Sequence, residues 1–284
     1  MMATFTNKAT LTYNGRTTDS NTVVGNFAET LAVTKNALVE SYSAGSTITY
    51  VVSLVNSGVS TLLGLTLTDD LGAYPLGAGT VTPLDYVEGS LAYYVNGILQ
   101  PDLTVGATPP LNISGISVPA GGNSMLIYEA RVNANAPLDL DGEITNTVTV
   151  NGAGLAEPVV ASETVSAANE ALLSITKSLF PTTVSENGFI TYTFVIENSG
   201  NTAVVATDNA VVRDIFDPIL AITSVTLDGV SLVEGTDYTY NQATGEFFTS
   251  EGAITVPAAT YTQNPDGSFV VVPGTTTLVV SGTI

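Results

Sequence analysis

Three polar side chains in the first half of this chain stand where polar groups are most costly. Alternation along their segments puts Lys35 on the face of Val33, Asp69 on the face of Leu67, and Asn146 on the face of Ile144 and Val148. If these segments are strands, all three point into a core. Buried polar groups need partners, and these suit one another. Burial favours the neutral form of both an amine and a carboxyl group. A neutral lysine is a nucleophile, an asparagine side chain offers an electrophilic carbon, and a protonated carboxyl can polarise the amide. Together they are the parts of a spontaneous Lys35–Asn146 isopeptide bond assisted by Asp69. The simpler reading is a Lys35–Asp69 salt bridge with Asn146 capping a turn, or a lysine snorkelling at a strand end.

A second set is split along the chain. Lys177 and Asp214 repeat Lys35 and Asp69, but no asparagine follows them in the matching place. The matching asparagine is Asn7, in the stretch Phe5 to Tyr13 whose pattern repeats Ile144 to Val150. Phe5, Asn7, Ala9, Leu11 and Tyr13 share one face of that stretch. This face is too apolar for a free arm, and it is the expected interface.

The elements that must position these residues are short strands. Segments such as Thr47 to Val55, Leu63 to Asp69, Asn112 to Val118, Ser124 to Val132 and Ile144 to Val150 alternate, with Gly45, Asn56-Ser57-Gly58, Asn96-Gly97 and Pro119 to Gly122 between them. About seven such strands with regular turns predict an all-β, immunoglobulin-like sandwich, with a jelly roll or barrel as the alternative. The pattern then repeats. Leu173 to Lys177 matches Leu31 to Lys35, Ile190-Thr-Tyr192 matches Ile48-Thr-Tyr50, and Val256-Pro matches Val118-Pro. The expected organisation is an N-terminal arm over 1–29 (a spare closing strand, 5–13, plus a linker), a first sandwich over 30–166, and a second over 167–284 that lacks its closing strand. A linker from Asn14 to Glu29 would reach roughly 50 Å fully extended.

Composition narrows the function. The 284 residues include no Cys, His or Trp, and 44% are apolar. Catalytic triads and metal sites built on imidazole or thiolate are therefore impossible. The chain reads as no enzyme, with no cofactor and no metal. Asp139 to Glu143 faintly resembles a calcium loop but offers too few oxygen ligands. A net charge of −20 with six basic residues disfavours nucleic acid and anionic lipid. No apolar run approaches membrane-spanning length, so membrane insertion is not expected. The first residues lack the pattern of a secretory signal, leaving the export route unknown. Clustered exposed aromatics for a lectin-like platform are missing too.

The ordered motifs Leu31 to Lys35, Ile48-Thr-Tyr50, Asn56-Ser57-Gly58, Leu65 to Asp69, Val118 to Gly121 and Ile144 to Val150 resemble the tandem surface repeat called domain of unknown function 11. The chain looks in particular like its short, signal-less two-repeat members in spore-forming Gram-positive bacteria. That resemblance implies a cell- or spore-surface protein without enzymatic activity. The Lys, Asp and Asn set is also similar in residue type to the crosslinks of Gram-positive pilins and adhesins. The resulting expectation is a self-assembling extracellular filament subunit whose partner is itself. Strand 5–13 of one copy would enter the second repeat of the next, running beside Thr277 to Ile284 or across from the Leu173 to Lys177 strand, with Asn7 beside Lys177 and Asp214. The alternative is a monomeric cell-surface binding or adhesion module whose arm folds back onto its own chain.

Overall fold

Strand propensity and period-two alternation run through the whole chain, and the computed structural model, which describes residues 4–26 and 30–284, is built from strands. Among the described residues the one helical piece is a 3₁₀ turn at Ala206–Asp208. The chain is all-β and forms two sandwich units. The first gathers residues up to Pro137 with Glu143–Ser166 and Pro265–Ser268, and the second holds Leu138–Gly142, Ala167–Asn264 and Phe269–Ile284.

In the first unit, β5 (Leu31–Ala37), β6 (Thr47–Asn56), β7 (Leu62–Asp69), β8 (Ala92–Val95), β9 (Leu111–Val118), β10 (Asn123–Val132), β11 (Glu143–Asn151) and β12 (Val159–Ala167) form two facing sheets. One has the order Ile98–Leu99, β8, β10, β6, β5, and the other runs Thr104–Val105, β9, β7, β11, β12, Ser41–Tyr42. Alternation explains the core. Ile48, Tyr50, Val52 and Leu54 of β6 and Leu126, Tyr128 and Ala130 of β10 are fully buried, with Leu65 and Leu67 of β7 opposite. Asn96-Gly97, both with positive φ, turns β8 into Ile98–Leu99.

The second unit repeats the five-strand path of the first sheet, whose sixth strand, Leu84–Tyr86, pairs with β10 off that path. Its β13 (Leu173–Phe180), β14 (Phe189–Asn198), β16 (Ala221–Leu227) and β18 (Gly274–Thr283) run in the order β13, β14, β18, β16, Val230–Ser231. The other sheet is shorter. It contains only β15 (Arg213–Ile215), β17 (Glu246–Thr249) and Tyr238–Asn241, with β15 at its edge. β17 stands beside β15 as β9 stands beside β7, since Phe247 pairs with Asp214 as Leu111 pairs with Asp69. The far side of β15, where the first unit carries β11 and β12, pairs with no strand among the described residues.

The arm departs from the expected single strand plus extended linker. It breaks into β1 (Thr4–Asn7) and β2 (Thr10–Tyr13), and the stretch read as a linker returns as β3 (Arg16–Asp19) and β4 (Val23–Asn26). β2 pairs with β3 and β1 with β4, closing a hairpin. The cause is local. Asn14 and Gly15 both have positive φ, the conformation of a two-residue I′ turn, and Thr17, Thr18, Val23 and Val24 are β-branched. The register moves by one between the two ladders, because Ala9 faces Ser20 while Asn7 faces Val23. The return strand thus holds one extra residue, a bulge. The Phe5 ring lies over Gly25, where an added Cβ would fall 2.3 Å from it.

Candidate functional site

The first unit brings Lys35, Asp69 and Asn146 together, each at most 3% exposed. Lys35 donates from Nζ to Asp69 Oδ2 at 2.7 Å. The Asn146 Nδ2 group reaches the same oxygen at 3.5 Å, and the Tyr128 hydroxyl also donates to it. The other carboxyl oxygen, Oδ1, accepts from the Leu71 N–H at 2.7 Å. One carboxyl oxygen therefore gathers the amine and the carboxamide that an amide exchange would join. The Lys35–Asp69 ion pair is that of the simpler reading.

The electrostatics follow from burial. Desolvation pulls the Lys35 pKa below its ordinary 10.5, against the opposing attraction of Asp69. Desolvation, reinforced by Asp69, pushes the Tyr128 hydroxyl well above its usual range, and burial raises Tyr50 too. The Lys35 ammonium lies 4.6 Å from the centre of the Tyr50 ring, while the Tyr50 hydroxyl is buried beside the Asn146 carboxamide, which works against the rise in its pKa without forming a well-aligned hydrogen bond.

Sequence reasoning missed four contributors. Tyr50 and Tyr128 were core positions by alternation, and only the β6–β10 register places them side by side over the lysine. Asp70 Oδ1 accepts from the Gly72 and Thr147 N–H groups, fastening the turn after β7 to β11. The Gly72 N–H also donates to Asn146 Oδ1 at 3.2 Å, on the carbonyl side of the carboxamide. Gly72 has φ +73, and a Cβ there would sit 2.5 Å from Ile144. The surrounding Asp-Asp-Leu-Gly run, four residues ending in a left-handed glycine, was the available signal.

The second unit carries the same pair in a different setting. Lys177 and Asp214 form an ion pair, but their side chains are 38% and 17% exposed, where both partners in the first unit are fully buried. The Lys177 ammonium lies over Tyr192, 4.4 Å from the ring centre. Tyr192 faces Val280 across the sheet, so this site has no counterpart of Tyr128. All of β13 is exposed, including Leu173 at 48% and Ile175 at 54%, whereas Leu31, the equivalent of Leu173, is 3% exposed. A groove of about 180 Å³ runs there between Leu173, Ile175, Ile196, Val211, Val212 and Ile254. In the first unit β11 packs against β5 at this place. Asn7 lies in β1, paired to Val23, and Phe5, Leu11 and Tyr13 are 49%, 65% and 74% exposed. Asp139 to Gly142 is a turn closed by the Gly142 N–H on the Asp139 carbonyl.

No family model and no curated protein matches the sequence, so the resemblance to domain of unknown function 11 rests on the motifs alone. Solved structures do overlap it. BcpA, the major pilin subunit of Bacillus cereus, is 12% identical over 95% of this chain and 73% of its own, at a TM-score of 0.36. The pilus backbone RrgB of Streptococcus pneumoniae is 11% identical over 89% of this chain, at 0.34. A family 123 glycoside hydrolase of Clostridium perfringens is 10% identical over 50% of it, at 0.32. The chain spans half the length of RrgB and 28% of the hydrolase.

Proposed function

We propose that this chain is a structural, non-enzymatic subunit of an extracellular filament on a cell or spore surface. Copies join head to tail as residues 5–13 of one enter the second unit of the next. The observation that carries this reading is the open edge of β15 beside the uncovered apolar face of β13. An unpaired edge next to a hydrophobic groove is a template for an added strand. Donor and acceptor are different surfaces, so the contact propagates as an open filament unless its rotation closes a ring. Asn7 then approaches Lys177 and Asp214, where attack of the lysine amine on the Asn7 carboxamide, with loss of ammonia, links the copies, and the same exchange between Lys35 and Asn146 braces the first unit of each.

The test is assembly state. Light scattering and electron microscopy of the purified chain should show a concentration-dependent ladder of multimers that disappears when residues 1–15 are deleted. Denaturant-resistant multimers should vanish in Lys177→Ala and persist in Lys35→Ala. A monomeric binding or adhesion module is the second reading, favoured by the arm's pairing within its own chain. Monomers at every concentration would establish it.

A further inference from the structure

We infer that the donated element is the complete hairpin of β1 to β4, entering the next subunit as a preformed pair of strands. The inference rests on the head-to-tail reading above and specifies what is exchanged and in which register.

The first unit shows the geometry. Its second sheet continues past β7 with β11 and then β12, themselves a hairpin in which Ile144 faces Val165, Asn146 faces Glu163 and Val148 faces Ala161. The arm has the same two-strand form. Phe5, Asn7, Ala9 and Leu11 repeat Ile144, Asn146, Val148 and Val150, and the residues across from the first three are Gly25, Val23 and Ser20. The second unit's sheet stops at β15, two strands short of the first unit's β7, β11, β12 run. A hairpin supplies both missing strands.

Energetics favours moving the pair intact. Donating β1 and β2 alone would break the ladders to β3 and β4 and strand their backbone groups. It would also lose the Lys8–Asp19 ion pair and the Thr10–Asp19 and Thr12–Thr17 contacts. Donated whole, the hairpin keeps all of these and its outer strand covers the edge that β1 and β2 would otherwise leave open. Charge agrees with this. Lys8 and Arg16 against Asp19 give residues 4–26 a formal +1, in a chain of −20. A segment without net negative charge docks on a strongly negative body.

The register is fixed by the repeat. Val148 faces Asp69, Thr149 faces Thr68 and Val150 faces Leu67. The same alignment sets Ala9 across from Asp214, Thr10 from Arg213 and Leu11 from Val212 of the acceptor, with Asn7 two residues from Ala9 and on its face. Phe5, Leu11 and Tyr13 then lie against the groove beside β13.

The chain has no cysteine, which makes disulfide trapping clean. The Thr12 and Thr17 hydroxyl oxygens are 3.3 Å apart, so Thr12→Cys with Thr17→Cys can bridge the hairpin and lock it shut. Multimers forming equally well with the lock oxidised and reduced are the expected result. Assembly of the reduced form alone would mean that a single strand is exchanged, overturning this inference while leaving head-to-tail assembly intact. No multimers in either state would overturn both. For the register, a Thr10→Cys chain mixed with an Arg213→Cys chain should give a disulfide-linked dimer, and a Thr6→Cys chain should not. Crosslinking at Thr6, or a bridge within one chain when Thr10→Cys and Arg213→Cys are combined at high dilution, would also overturn the inference.

Discussion

Lys35 and Lys177 hold the same position in their units and each pairs with an aspartate, yet the side chain of the first is fully buried and that of the second is 38% exposed. What differs is a strand. β11 covers Lys35 and carries Asn146, and nothing in the second unit stands there among the described residues. The first site brings an amine, a carboxyl group and a carboxamide together in a single chain, and the second pairs an amine with a carboxyl group and has no asparagine at the matching position.

Intact mass separates the two sites. Joining Lys35 Nζ to Asn146 Cγ forms one C–N bond, breaks the other and expels ammonia, so the isolated monomer should weigh about 17 Da less than its sequence by that stoichiometry. Asp69→Asn should restore the full mass. A wild-type mass equal to the sequence mass would leave the Lys35–Asp69 ion pair as the finished structure. A second loss of about the same size should appear only in assembled material, when Lys177 meets Asn7.

Stability should vary with alkaline pH in a way that depends on whether that bond forms. Folded Lys35 releases its proton below the 10.5 of an unfolded lysine, so between the two values the unfolded chain binds more protons and stability rises with pH. Tyr50 and Tyr128 act oppositely. Their folded pKa values lie above 10.0, so the unfolded chain ionises first and stability falls beyond that point. Urea midpoints of the unreacted chain should therefore climb as the pH rises through the lowered pKa of Lys35 and turn over near pH 10. Lys35→Met, or reaction of Lys35 with Asn146, should flatten the climb and leave the fall.

The two tyrosines facing each other across β6 and β10 should respond differently to loss of a hydroxyl. Tyr128 donates to a carboxyl group, and Tyr128→Phe should cost about 1.5–3 kcal/mol, the range for hydrogen bonds to charged groups. The Tyr50 hydroxyl has the Asn146 carboxamide beside it but no well-aligned hydrogen bond, so Tyr50→Phe should change stability by less than about 1 kcal/mol. Chemical denaturation measures both. A large loss in Tyr50→Phe would show that this hydroxyl is engaged in the working protein.

Exposure on β13 predicts a split between stability and assembly. Ile175 is 54% exposed, so Ile175→Ser should change monomer stability by no more than about 0.5 kcal/mol, as surface substitutions do. The same change removes apolar surface from the groove and should weaken multimer formation severalfold by light scattering. Leu31→Ser, at the buried equivalent of Leu173, should instead destabilise the first unit by several kcal/mol, on the order of other buried leucine losses.

Alternation was enough to read the faces of the strands. Period two forces Lys35, Asp69 and Asn146 inward with Val33, Leu67 and Val148, and repetition of the same motifs made an all-β chain of two sandwiches legible. The sequence by itself also determined that imidazole and thiolate chemistry are absent. Period two is silent on which inward groups meet, because that depends on how two sheets stack and in what register their strands pair. Only the tertiary structure set Tyr128 on the Asp69 carboxyl, placed the Tyr50 hydroxyl beside the Asn146 carboxamide and brought the Gly72 N–H to Asn146. The arm shows the same limit. The apolar face of residues 5–13 was plain, but the closing of 16–26 onto it depended on a two-residue turn of positive φ and on cross-strand pairing. Exposure of β13 was equally out of reach from its own residues, since a strand is covered or open according to what lies beside it, and that neighbour is set by sheet order far along the chain.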